Sequence, residues 1–151
     1  MSIKVIAKNR RARFEYEVLQ TFETGIVLKG TEVKSLRDGR VNMGDSHCRI
    51  NAQLEVFLVN LHISPYEYGN RVNHEPLRER KLLLHKNEIR RLYGLLREKG
   101  LTLVPLKMYL NRGNIKIELG LVRGKKLHDK RENLKKKEME REVERNLKSF
   151  D

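Results

Sequence analysis

The sequence predicts a mainly β fold with helices: a small antiparallel barrel with helices packed on it and a basic tail behind it. Three observations point there. Short segments of alternating apolar and polar residues recur between turn residues. One segment carries a clear helical period. Every aromatic residue except Phe150 lies within the first 109 positions, so the core is expected there. The length of 151 residues suits one such domain.

Residues 1–13 read as a polar, basic arm, with Lys8, Arg10, Arg11 and Arg13 around Asn9. So little apolar surface cannot order itself. The arm is either a disordered leader or a segment that orders on a phosphate backbone. The body is expected over residues 14–122. Phe14 to Val18 (FEYEV) alternates as a half-buried strand and Leu19–Phe22 prolongs it. Glu23-Thr24-Gly25 is expected to turn, because glycine accepts positive φ, and Ile26–Leu28 to return. Thr31 is placed to cap a short helix with Val33 and Leu36 facing inward, ended by Asp38-Gly39. Residues 40–45 read as loop. Cys48–Ile50 and Val56–Leu61 read as strands joined near Asn51-Ala52-Gln53. Residues 66–80 show no period and form a functional or mobile loop.

The clearest helix spans about Lys86 to Lys99, because Ile89, Leu92, Tyr93 and Leu96 share one face. Gly100 follows it as a left-handed stop. A long hairpin joins Leu101–Leu110 to Ile115–Val122 through Asn111–Asn114. In it Ile115, Ile117 and Leu119 face one way, Lys116 and Glu118 the other. Residues 123–151 form the tail. Met139, Val143, Leu147 and Phe150 make only a narrow stripe, so this helix is disordered alone and orders against a partner.

The formal net charge of +13 predicts a polyanionic partner. Residues 123–151 hold 11 Lys/Arg against 7 Asp/Glu, and residues 1–122 hold 22 against 13, so body and tail are each basic. Cys48 is the only cysteine, which excludes an internal disulfide and a thiolate zinc set and fits a cytoplasmic location. No run of about 18 apolar residues occurs, and no segment sets a basic face against bulky apolar residues, so no membrane partner is expected. Catalytic patterns are missing. Gly120-x-x-x-Gly124-Lys125 lacks one spacer of a phosphate loop, and Lys126 stands where that loop needs Ser or Thr. His128-Asp129 has no neighbouring ligand to make a metal site, and no cofactor is expected. The readings these features leave are an RNA-binding adaptor, a ribosomal protein or other basic binding module, and, on His128-Asp129 alone, a small nuclease.

Five stretches, in order, carry a resemblance: NRRAR at 9–13, FETG at 22–25, GTEVKSLR at 30–37, RKLLL at 80–84 and GLVRGKKLHDKR at 120–131. Together they resemble the SsrA-binding protein (small protein B) family over nearly the whole chain. The resemblance implies an OB-like antiparallel barrel of about six strands with about three helices. It also implies a non-catalytic adaptor. Such an adaptor binds transfer-messenger RNA at its tRNA-like domain and stands in for the missing anticodon arm. It carries that RNA to ribosomes stalled on broken messages, and the incomplete peptide is tagged for degradation. The implied partners are that RNA, the small ribosomal subunit, and elongation factor Tu indirectly through the charged RNA; the chain itself is expected to be a monomer.

The residues implied to grip RNA are Asn9, Arg11, Arg13, Glu23, Leu83 and Lys116. Lys116 points off the apolar face of its strand toward a phosphate. Asn9 and Arg11 bond backbone or base edges. Glu23 accepts from exocyclic amines or 2′-hydroxyls, and Leu83 packs on an unstacked base. Read without the resemblance, Leu83 is an ordinary core residue and Glu23 a solvated turn acid. In the tail the resemblance assigns Gly124, Lys125, Lys126, His128, Asp129, Lys130 and Arg131 to the ribosomal decoding site. Lys135, Lys136, Lys137, Met139 and Val143 belong to the helix implied in the message channel. The chain departs from many relatives at Phe14, where they carry His, and near Met139, where they carry Trp.

Overall fold

The structure, a computed structural model, describes residues 3–67, 72–98, 100–124 and 141. Nine strands and three helices lie among the described residues. In order they are β1 (Ile3–Lys8), α1 (Arg10–Glu15), β2 (Tyr16–Ile26), α2 (Gly30–Arg37), β3 (Val41–Asn42), β4 (His47–Ile50), β5 (Val56–Val59), β6 (His62–Ile63), β7 (Arg80–Leu83), α3 (Lys86–Leu95), β8 (Leu101–Asn111) and β9 (Asn114–Gly124). The tail from Lys125 onward falls outside the described residues, apart from Arg141.

The strands run β8-β4-β5-β7-β2-β9, and β9 pairs back onto β8, so six antiparallel strands close into a ring. β1 adds to the same edge of β8 that β4 uses further along. Closure removes the free edges an open sheet would present. The β8–β9 hairpin turns at Arg112 and Gly113, both at positive φ (52° and 80°), which matches the twist of the flanking strands.

Alternation decides which residues fill the ring. The register sets Leu121, Leu103, Cys48 and Leu58 in line, and Ile26, Leu82, Val56 and Ile50 in a second line. These belong to one continuous core with Phe22, Met108, Ile117 and Leu119. Leu36 of α2 and Ile89 and Leu92 of α3 complete it. Each such aliphatic side chain contributes about 1.5–3 kcal/mol on burial. A second, smaller cluster lies on the opposite face of β8 and β9, where Ala12 of α1 packs with Val104, Leu106 and Val122. Gly120 makes room there: a Cβ on it would stand 2.7 Å from Leu106 Cδ1 and 3.2 Å from Val122 Cγ1. Gly120→Ala is therefore expected to destabilise the fold by about 1–3 kcal/mol, read as a lower urea midpoint with an unchanged slope.

Several expectations are corrected. Residues 3–8 are a strand in place of a free arm, because the outer half of β8 leaves its backbone groups open from Lys107 to Asn111 and β1 pairs there. Residues 10–15 are helical in place of the strand expected from Phe14. Asn9 caps that helix with its side-chain oxygen, which accepts from the Ala12 N–H (3.1 Å). The folded body therefore begins at Ile3 rather than residue 14. Glu23-Thr24-Gly25 does not turn, since β2 runs unbroken to Ile26. Gly25 serves there by lacking a side chain: Leu83 Cδ1 lies 3.4 Å from where a Cβ would stand.

Thr31 does not cap α2. The capping contact is Glu32, whose carboxylate accepts from the Lys29 N–H (2.7 Å). The Thr31 hydroxyl instead lies 2.9 Å from Nδ1 of buried His74, whose Nε2 is 2.8 Å from the Ile63 carbonyl. A carbonyl only accepts, so Nε2 carries a hydrogen and donates to Ile63. Val41 and Asn42, expected in a loop, pair with β6.

The described part of the expected 66–80 loop is tied down at its end. Arg80 is fully buried and aligned with Leu58 on the inner face of the ring. Its guanidinium donates from Nε to Glu32 Oε2 (2.5 Å), from Nη1 to the Leu61 carbonyl (2.5 Å) and from Nη2 to the Pro76 carbonyl (3.1 Å). Arg78 donates to the other Glu32 oxygen (2.5 Å). This network staples α2 to the start of β7 and to the chain that enters it.

Candidate nucleic-acid interface

Residues directly opposed across strand pairs share a face of the sheet. On the outer face this gives two rows. Leu83 of β7, Gly25 of β2, Lys116 of β9, Tyr109 of β8 and Val5 of β1 form the first. Glu23, Glu118, Lys107 and Lys8 form the second, beside it. The rows cross five strands and adjoin α1, which covers the next stretch of the same face. Thus Arg11 and Arg13 on one side and Glu23, Leu83 and Lys116 on the other, separated by up to 105 positions in sequence, border one surface, with Asn9 buried beneath it.

Leu83 is 57% exposed, so it is not core. It lies against bare Gly25 backbone and gives the face a flat apolar spot. Lys116 is half-buried. Neither Lys116 nor Lys8 takes part in an ion pair among the described residues. Glu23 is exposed in mid-strand and accepts from the Tyr109 hydroxyl. Burial, then the hydrogen bond and charge of Glu23, push the Tyr109 phenol well above its usual range, so it remains a neutral donor. The Lys107 ammonium lies 5.2 Å from the Tyr109 ring centroid and 3.4 Å from Glu118 Oε2. An acid held this way on a basic face suits an amine or hydroxyl donor of RNA better than a phosphate.

Asn9 is only 3% exposed. Its Nδ2 donates to the Pro105 carbonyl (2.8 Å) and its Oδ1 is the α1 cap, so its polar atoms are already engaged. Arg11 is exposed but bridges Glu15 (3.0 Å) and Asp45 (2.7 Å). The hydrogen bond and charge of Glu15, then the charge of Asp45, raise its pKa further. Arg13 is exposed on α1, as is Phe14. Gly124 ends β9 opposite Tyr16, and its N–H donates to the Gly100 carbonyl (3.3 Å). Lys125, Lys126, His128, Asp129, Lys130, Arg131, Lys135, Lys136, Lys137, Met139 and Val143 lie outside the described residues.

Sequence reasoning missed Tyr109, Lys107, Lys8 and Gly25. Counting outward from the Arg112-Gly113 turn would have set Tyr109 opposite Lys116 and Lys107 opposite Glu118. Nothing local would have set Lys8 beside Lys107. Among the described residues, no three His, Cys, Asp or Glu side chains come together to hold a metal ion, and no helix is long and apolar enough to cross a membrane.

The sequence profile of the family described as SmpB protein matches residues 6–149. The SsrA-binding protein of Thermosynechococcus vestitus is 60% identical over 148 residues, covering 97% of each chain. That of Bacillus subtilis is 58% identical over 142 residues, covering 94% of this chain and 90% of its own. Among solved structures, a chain from one described as "tmRNA-SmpB: a journey to the center of the bacterial ribosome" superposes with a TM-score of 0.67. It is 58% identical, with 80% of this chain and 85% of that chain covered.

Proposed function

The chain belongs to the SmpB protein family, and on that premise we infer that it is the RNA-binding adaptor of trans-translation. It binds transfer-messenger RNA at the tRNA-like domain, mimics the missing anticodon arm and delivers the RNA to stalled ribosomes. The ribosome is thereby freed and the incomplete peptide tagged for degradation. Its partners are that RNA and the small ribosomal subunit, and elongation factor Tu meets it through the charged RNA. It acts in the cytoplasm, as a monomer and without catalysis of its own: the RNA and ribosome supply the covalent chemistry.

The observation that carries this reading is the outer strand face. Lys116, in no ion pair among the described residues, supplies a phosphate contact, exposed Leu83 an apolar seat for an unstacked base, and Glu23, oriented by Tyr109, an acceptor for one RNA donor. Asn9 serves from beneath, holding α1 so that Arg11 and Arg13 border the face. Phe14 offers a ring where many relatives offer an imidazole, so stacking replaces a polar contact there. Beyond Gly124, Lys125, Lys126, Lys130 and Arg131 neutralise ribosomal RNA near the decoding site, His128 stacks on a base, and Asp129 orients a neighbouring lysine. The stretch with Lys135–Lys137, Met139 and Val143 forms its helix in the message channel.

Lys116→Ala tests the face directly. It is expected to weaken binding of the tRNA-like domain and to reduce the salt slope of the affinity by ~1, with the melting temperature unchanged. An unchanged slope would remove the phosphate contact from this residue.

A further inference from the structure

Lys8 and Lys107 stand directly opposite one another across the β1–β8 ladder, on the outer face. Like charges in that position destabilise a sheet, and the structure relieves only one of the two. Lys107 has Glu118 at 3.4 Å and the Tyr109 ring beneath it, while Lys8 has no acidic partner among the described residues. Lys8 is also fixed in place. The residue after it, Asn9, donates its N–H to the Leu106 carbonyl (2.8 Å) and caps α1, so the ladder and the helix hold the Lys8 backbone from both sides. Next along β1, Val5 is 42% exposed in line with Tyr109 and Lys116. The face that carries Glu23, Leu83 and Lys116 therefore continues without a step onto the N-terminal strand.

We propose that Lys8 and Lys107 form a phosphate site of their own, which takes a backbone phosphodiester of the bound RNA and extends the RNA face onto β1. The proposal rests on the RNA-binding reading above. A phosphate between two ammonium groups removes the repulsion that the free protein retains, so binding gains what the fold forgoes. Glu118, 3.4 Å from the Lys107 ammonium, and Glu23 beyond it set both carboxylates of the row on the side away from Lys8. The polyanion is thereby confined to the β1–β8 end of the row.

Binding of transfer-messenger RNA to the full chain over a range of salt, with Lys8→Ala, Lys8→Glu and Lys116→Ala alongside the parent, tests this. Lys8→Ala is expected to lower affinity about threefold and flatten the salt slope by ~0.7–0.9. Lys8→Glu is expected to lower affinity further while its melting temperature stays level or rises, because it turns a repulsive cross-strand pair into an attractive one. Stability and binding would then move in opposite directions, which loss of packing cannot produce. If both Lys8 variants keep the parent affinity and slope while Lys116→Ala lowers them, the Lys8–Lys107 site is rejected and the RNA face stands. If Lys116→Ala is also silent, the face itself is rejected.

Discussion

Arg80→Ala is expected to destabilise the protein by about 3–5 kcal/mol, the largest loss of any single replacement outside the apolar core. Arg80 and Glu32 are both fully buried, and Arg80 also satisfies the carbonyls of Leu61 and Pro76. Removing the guanidinium leaves the buried Glu32 carboxylate with only Arg78 and the Lys29 N–H on its other oxygen, and takes from the Leu61 carbonyl its Arg80 donor, while the Pro76 carbonyl keeps the Ile63 N–H (3.0 Å). Glu32→Gln should cost less, since an amide oxygen in the Oε1 position can still accept from the Lys29 N–H and Arg78, so that only the bond from Arg80 Nε is lost. A paired replacement by apolar residues, Arg80→Met with Glu32→Leu, should recover most of the loss, because the penalty lies in the orphaned charge rather than in the absence of the pair. Urea denaturation of the three variants checks this order.

The same network sets an acid limit on the fold. Burial raises the Glu32 pKa, but hydrogen bonds from Arg78, the Lys29 N–H and Arg80, with the Arg80 charge, outweigh it, and the folded value lies below that of the unfolded chain. A depressed folded pKa contributes stability above the unfolded value of about 4.3, which is lost as pH falls through the lower folded value. The network bears on function because β7 begins at Arg80 and carries Leu83 three residues later. Loosening it also loosens Leu83 on the proposed RNA face.

Removing residues 125–151 is expected to abolish peptide tagging while leaving the folded body intact. The last strand ends at Gly124, and the core draws no residue from beyond it among those described. The removed segment keeps ten cations, Lys125, Lys126, Lys130 and Arg131 among them. Seven of them, Lys125, Lys126, Lys130, Arg131 and Lys135–Lys137, are the charges proposed to meet ribosomal RNA at the decoding site and message channel. A tagging assay on stalled ribosomes should therefore fall to background, with a melting curve close to that of the full chain.

Much of this was legible in the sequence where the signal is local. The β8–β9 hairpin announces itself by its Asn111–Asn114 turn and the alternation of Ile115, Ile117 and Leu119 with Lys116 and Glu118, and α3 by Ile89 and Leu92 on one face. The Gly-containing ETG at 23–25 misled, since glycine permits a turn without requiring one; what decides is Leu83, 58 positions away, lying over Gly25. Residues 3–8 have too little apolar surface to order alone, and only the open edge of β8, about a hundred residues on, makes them a strand. Arg80 reads as one more surface cation until Glu32 is placed beside it. In the interface, Lys116 and its outward direction followed from alternation. The conversion of Leu83 from core to surface, and the joining of Glu23 to Tyr109, depend on the strand order around the ring.

The central claim is that the outer strand face of the body, and not the tail, binds transfer-messenger RNA. A binding isotherm of residues 1–124 with the tRNA-like domain of that RNA, at moderate salt and beside the full chain, tests it most directly. Affinity within a few-fold of the full chain is the predicted result, with a modestly shallower salt slope from the lost tail cations. Loss of specific binding by a folded 1–124 chain would contradict the account.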